Sequence, residues 1–263
     1  MTDSPAAASP LIALTREVSD AIVRCELTHR ERTPINVSLA RTQHSAYEDA
    51  LRAAGCAVLH VEPAHDLPDA VFVEDSALVF DEIAVMTRPG AESRRPELGA
   101  VELALSRFRT MTRIGAPGTL DGGDVLTVGR RVFVGQSSRS NKAGIRQLQT
   151  IVAPLGYTAE GVPVHGCLHL KSAVTALGDN TLLINRAWTS AGAFRDFDLL
   201  DVHPFEPFAA NVLRVGAELI YPAEFPRTLE RLERRGLSPR TVPAGELAKA
   251  EGGVTCCSLV FGA

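Results

Sequence analysis

Gly55-Cys56-Ala57-Val58-Leu59-His60-Val61-Glu62-Pro63 is the stretch from which the fold is read, because it recurs. Gly156-Tyr157-Thr158-Ala159-Glu160-Gly161-Val162-Pro163 and Gly236-Leu237-Ser238-Pro239-Arg240-Thr241-Val242-Pro243 repeat its plan: a glycine, a valine six residues on, and a proline within two residues more. Each glycine follows a segment whose apolar residues recur at three- to four-residue spacing, as on one face of a helix. Glycine is the residue that ends a helix most readily in the left-handed conformation. The spacing predicts helices over 38–54, 96–108, 142–155 and 225–235, and strands over 11–16, 56–61, 77–80, 83–87, 125–128, 132–135, 181–185 and 259–261. A weaker copy of the repeat runs through 109–117. The unit is roughly 50 residues or a multiple of that, the period of a propeller or solenoid. Each unit reads as strands plus one helix, so the expected architecture is α/β, unlike an all-β blade.

Bulk properties remove several function classes. The chain has 263 residues, 45% hydrophobic, enough for a full core. A net charge of −4 with no basic stripe argues against nucleic acid. No apolar run approaches the ~18 residues of a membrane span. Residues 1–10 read as a frayed tail without a signal-peptide pattern, ahead of a single domain over 11–263. Five cysteines without regular spacing give no disulfide framework, and the reducing cytosol is the expected compartment. Walker and Gly-x-Gly-x-x-Gly fingerprints are missing, as is Cys-x-x-Cys or His-x-x-x-His spacing, so neither a nucleotide nor a resident metal is expected.

Four motifs follow the repeated run of their unit and precede its next strand. They are Asp69 to Asp75, Asp121-Gly122-Gly123-Asp124, His169 in Leu168-His169-Leu170-Lys171, and Cys256 in Gly252-Gly253-Val254-Thr255-Cys256-Cys257-Ser258. In a radial repeat, equivalent points face one axis, so a thiol, an imidazole and several carboxylates converge. Each motif also has a plain structural alternative. Free cysteine is among the most buried residue types, and that reading suits Cys257. Adjacent strand residues point to opposite faces, so at most one of the pair faces a pocket. Most of the seven histidines must be incidental, and strand alternation singles out His169 over His165. Asp-Gly-Gly-Asp is turn chemistry, yet Asp121 could orient an imidazole. Glu74 and Asp75 end an apolar run, where charge is costly without a partner; a cationic ligand would supply one. Arg94 and Arg139 are either exposed charge or a fork for a carboxylate.

With these residues lined up, the chain resembles the dimethylarginine dimethylaminohydrolase family of the guanidino-modifying (amidinotransferase/deiminase) superfamily. The likeness spans about residues 11–261 and rests on Leu67 to Asp75, Thr87 to Arg95, Leu120 to Leu126, Leu168 to Ser172 and Thr255 to Ser258, all in order. The resemblance implies a five-fold pseudosymmetric α/β propeller of ββαβ repeats. It implies Cys256 as nucleophile, His169 as general acid/base and Asp121 as its partner. It further implies Glu74 and Asp75 around the guanidinium, Phe72 in the substrate pocket, Asp69 on the amine, and Arg94 and Arg139 on the carboxylate. Leu27 matches a lid residue and Ala250 a backbone carbonyl that meets the amine. The implied reaction is hydrolysis of Nω-methylated arginines to citrulline through a cysteine thiouronium, with no cofactor. A homodimer is admitted. The thiolate of Cys256, the imidazole of His169 and the carboxylate of Asp121 are all zinc ligands, so zinc is expected as an adventitious inhibitor. The rivals are a deiminase or amidinotransferase acting on another guanidine, and a non-catalytic guanidine-binding protein.

Overall fold

In the computed structural model, which describes residues 10–263, Gly55, Gly156 and Gly236 have φ of +90°, +82° and +77°. These are left-handed conformations that side chains strain against, so the three glycines end their helices as the repeat requires. The tail expected over 1–10 lies, apart from Pro10, outside the described residues.

The chain begins with β1 (Leu11–Thr15), α1 (Val37–Ala53) and β2 (Cys56–His60), with β2 parallel to β1. Asn36 caps α1 by accepting the Leu39 N–H at 3.0 Å. The same plan then recurs. A hairpin of β3 (Ala77–Val79) and β4 (Ile83–Met86) is followed by α2 (Leu98–Leu105) and β5 (Thr110–Arg113), parallel to β4. Next come β6 (Val125–Val128), β7 (Arg131–Gln136), α3 (Lys142–Val152) and β8 (Thr158–Pro163). The short α4 (Leu170–Ala173) leads to β9 (Val174–Ala176), β10 (Thr181–Ile184) and β11 (Asp198–Asp201). Last are β12 (Leu213–Val215), β13 (Glu218–Pro222), α5 (Pro226–Arg234) and β14 (Arg240–Val242). After α6 (Gly245–Ala248), β15 (Leu259–Gly262) pairs antiparallel with β1, so the two termini complete one sheet.

Five three-stranded sheets therefore share one ββαβ order, the five-fold α/β propeller expected from the resemblance. The fourth unit departs from it: between β10 and β11 only a 3₁₀ turn, Ala191–Phe194, replaces the helix. The recurring glycine-to-proline run turns out to be the third strand of its unit, namely β2, β8 and β14. The weaker copy is β5, and the fifth, β11, lacks the glycine because no full helix precedes it.

Apolar clusters lie where each helix covers its sheet, as where Ile145, Leu148 and Val152 of α3 meet Val132 and Val134 of β7. Truncating one such buried leucine to alanine costs about 2–5 kcal/mol. The first strands line an axial cavity of about 250 Å³, with Val79, Leu126, Ala176, Leu213 and Val260 each supplied by a different unit. Glu74, Lys171 and Thr255 also border it. Of the segments joining a third strand to the next first strand, 61–76, 114–124, 164–173, 202–212 and 243–258, all but 202–212 carry one of the four acid, histidine and cysteine motifs; Arg94 and Arg139 lie on the loops after β4 and β7.

Candidate active site

Three of those five connections, 61–76, 164–173 and 243–258, meet in a cleft lined by Asp69, Phe72, Asp75, Leu168, His169, Ala250, Gly252 and Cys256, together with Arg94 and Arg139; a fourth, 114–124, places Asp121 behind His169. It is narrow, about 20 Å³ on the measure that gives the axial cavity about 250 Å³.

Cys256 and Cys257 lie in a turn, so strand alternation does not separate them as expected. The turn does so instead. The Cys256 Sγ lines the cleft and accepts the Gly253 N–H at 3.3 Å. Cys257 is 2% exposed and turns its thiol to the Gly253 carbonyl. Gly252 leaves room for the Phe72 ring, which a Cβ there would strike.

His169 is likewise not a strand residue. It is the extended residue at the N-terminus of α4, with φ −133° and ψ 160°. Its Nε2 lies 3.1 Å from Asp121 Oδ2, and its Nδ1 lies 3.8 Å from Asp75 Oδ1. A Cβ at Gly123 would come within 2.5 Å of that Nδ1 and 2.8 Å of Asp75 Oδ1. The Asp-Gly-Gly-Asp segment is thus a turn whose glycine lets the backbone approach the imidazole.

The electrostatics follow from burial and proximity. Burial opposes the His169 charge, but Asp75, the hydrogen bond that the ring donates to Asp121 and the field of Asp124 push the imidazole up to about 9. Burial, then Glu74 and Asp75, push the Cys256 thiol up to about 12. Asp75 is held well below the usual carboxylate range: burial opposes ionisation, but His169, Arg94 and the Gly123 N–H prevail. Burial and these neighbours thus favour a thiol at Cys256 and an imidazolium at His169.

Several expected ligands are placed differently. Glu74 is absent from the cleft lining; its carboxylate is bound by Lys171 Nζ at 2.5 Å and by the Thr255 hydroxyl at 2.9 Å. Arg94 is 4% exposed and donates to Asp75, to both oxygens of Glu97 and to the carbonyls of Asp69 and Phe72. Arg139 is freer, with a hydrogen bond to the Thr28 hydroxyl at 3.1 Å and Asp121 at 3.9 Å. Leu27 packs on the apolar cluster containing Phe72 and Ala250, while its neighbour Glu26 lines the cleft.

Three residues escaped the sequence reading. Glu251, at φ +60°, accepts the N–H groups of Thr28 and His29 at 2.9 and 2.6 Å and so ties the 25–33 segment over the cleft. Asn211, from the 202–212 connection, holds the Cys256 turn through Thr255 and bonds the Lys171 carbonyl. Lys171 neutralises Glu74. Their signal was position: each sits beside a motif residue or at the equivalent point of its unit. For zinc, Asp75, Asp121 and His169 bring ligand atoms within 4.8 Å of one another; Cys256 is outside that group.

A propeller of five ββαβ units, with cysteine, histidine and acid on the connections between units, defines the guanidino-modifying class of hydrolases and transferases. No protein-family model matches the chain. Individual proteins do. The chain is 44% identical over 248 residues, 94% of its length and 95% of the relative's, to the N(G),N(G)-dimethylarginine dimethylaminohydrolase of Streptomyces coelicolor. It superposes with a TM-score of 0.91 and 35% identity on the Pseudomonas aeruginosa enzyme, a cysteine-to-serine mutant complexed with citrulline, covering 96% of this chain and 100% of that one. A dimethylarginine dimethylaminohydrolase adduct with S-methyl-L-thiocitrulline matches with a TM-score of 0.90 and 35% identity, covering 95% and 98%. The chain belongs to the dimethylarginine dimethylaminohydrolase family, hydrolases acting on guanidino C–N bonds. Among the described residues no helix is long and apolar enough to cross a membrane.

Proposed function

We propose that the protein hydrolyses asymmetric dimethylarginine and monomethylarginine to citrulline and dimethylamine or methylamine, through a covalent thiouronium on Cys256. The observation that carries this reading is the cleft itself: Cys256 at one wall, His169 fixed by Asp121, and the side chains of Asp69, Asp75, Arg94 and Arg139 along it.

The guanidinium binds at Asp75, with Phe72 along the alkyl chain, Asp69 and the Ala250 carbonyl on the α-amine, and Arg139 with Arg94 on the carboxylate. Glu74, engaged by Lys171 and Thr255, contributes negative potential beneath the site. The Leu27 segment covers the ligand. An arriving cation offsets the acids that hold the Cys256 proton, so the thiol gives its proton to solvent and the thiolate forms where it is needed. Its sulfur bonds to the guanidinium carbon, the C–N bond breaks, and the His169 imidazolium protonates the leaving amine. Neutral His169 then takes a proton from water. The resulting hydroxide adds to the thiouronium carbon, and the C–S bond breaks as the new hydroxyl gives its proton to the departing thiolate, which releases citrulline and restores the Cys256 thiol.

The test is incubation with arginine, monomethylarginine and asymmetric dimethylarginine, with citrulline and amine both quantified. Methylamine and dimethylamine release with citrulline supports the reading. Turnover of arginine alone, with ammonia, would make the protein a deiminase.

A further inference from the structure

Asp124 lies outside the cleft, fully buried, yet three donors converge on it. Oδ2 accepts the hydroxyls of Ser137 at 2.5 Å and Ser140 at 2.7 Å, and Oδ1 accepts the Leu170 N–H at 3.0 Å. Each donor leads to a residue of the cleft. Leu170 is peptide-bonded to His169. The Ser140 hydroxyl accepts the Asp121 N–H at 3.1 Å. The Ser137 hydroxyl accepts the Arg139 N–H at 3.0 Å and the Ser140 N–H at 3.3 Å. The space is closed on the far side by β7: a Cβ on Gly135 would overlap Asp124 Oδ1 and stand 2.9 Å from Leu170 Cβ.

We propose that Asp124 is a positioning residue that sets His169, Asp121 and Arg139 relative to one another, an inference that rests on the reaction proposed above. The chemistry requires a carboxylate. All three partners donate, and an ionised carboxylate is acceptor-only on both oxygens. An asparagine turned one way presents its NH₂ to the Leu170 N–H; turned the other way it takes the acceptor from the hydroxyl of Ser137, whose oxygen already accepts two N–H groups. The two serine relays have separate ends. The Ser140 branch supports the acid that holds the imidazole, and the Ser137 branch supports the clamp. Displacing a reacting group by about 1 Å costs about 100-fold in rate, so a hub that never touches substrate controls turnover.

The experiment compares Asp124→Asn, Ser140→Ala and Ser137→Ala with wild type on the methylated arginines, with circular dichroism to confirm folding. Asp124→Asn is expected to lower kcat by about 100-fold and to raise KM. Ser140→Ala should lower kcat more than it raises KM, and Ser137→Ala should do the reverse, because loss of an interaction confined to the transition state and loss of uniform binding separate in this way. Equal proportional effects of the two serine variants, or an Asp124→Asn enzyme with wild-type constants, overturns the proposal. If Asp124→Asn does not fold, the two serine variants decide the matter. If wild type does not turn over these substrates, the functional reading fails, and amide exchange decides the positioning role without substrate. Lost protection at the Asp121 amide in Ser140→Ala, and at the Arg139 amide in Ser137→Ala, supports the role; unchanged protection overturns it.

Discussion

Arg94 and Asp75, assigned by resemblance to opposite ends of the ligand, are bound to each other: Arg94 Nη1 donates to Asp75 Oδ2 at 2.5 Å. Glu97 completes the buried cluster at 2.8 Å. The guanidinium of Arg94 thus helps keep Asp75 ionised, and it orders the cleft before any substrate carboxylate arrives. Removing one partner of a buried ion pair leaves uncompensated charge, at a cost of about 3–5 kcal/mol.

The two arginines should therefore behave differently. Arg94→Ala is expected to lower the melting temperature, and to reduce kcat as well as raise KM, since Asp75 and Glu97 lose their shared cation. Arg139→Ala should chiefly raise KM for dimethylarginine, with little effect on a methylguanidine lacking the carboxylate and little on melting. Thermal unfolding and kinetics on both substrate types check this; matching behaviour of the two variants would refute the distinction.

Cys256→Ser should abolish turnover with the fold intact, because a hydroxyl is a far poorer nucleophile at neutral pH. Cys257→Ser should keep substantial activity, its thiol being turned to the Gly253 carbonyl. Mass spectrometry during turnover should find an adduct on Cys256 alone. A dead Cys257 variant beside an active Cys256 variant would reverse the assignment.

His169→Gln is expected to cost at least about 100-fold in rate, within the range of general acid–base catalysis. The exposed His165 should tolerate alanine. The groups facing the imidazole are Asp75, Asp121 and Asp124, and they raise it from 6.5 to about 9 against the effect of burial. Because the folded value is the higher one, the stability gained from these pairs is fully present below 6.5 and is lost as pH rises through about 9. The alkaline limb of kcat/KM should fall in the same window, as the free enzyme loses the proton destined for the leaving amine. A profile that stays flat to about pH 10, measured in steps of about half a unit, would remove His169 as the acid.

Zinc should inhibit reversibly. Carboxylate and imidazole are zinc ligands, and Asp75, Asp121 and His169 offer them from one small volume. Inhibition should weaken as pH falls, because protons compete for the ligands, and a chelator should relieve it. Activity is measured after exhaustive chelation, with zinc then titrated back. Loss on chelation with recovery on zinc addition would mean a metallohydrolase and would end the covalent mechanism.

Much of this molecule is determined locally and was legible in the chain. Gly55, Gly156 and Gly236 need left-handed backbone whatever surrounds them, so the helix ends and the strands after them could be read directly. Asp121, His169 and Cys256 could be placed on connections because they recur at one point of the repeat. Other features depend on neighbours remote in sequence, and only the tertiary structure decided them. Cys256 is separated from Cys257 by a turn held through Asn211, 44 residues or more away, not by strand alternation. Glu74 looked like Asp75, but it finds Lys171, 97 residues on, and turns from the cleft. Arg94 looked like a free clamp until Asp75 and Glu97 closed on it. A hydrogen bond or ion pair forms with whatever group the fold brings within about 3 Å, and a buried charge takes the first adequate partner it meets. Sequence spacing carries no record of which partner that will be.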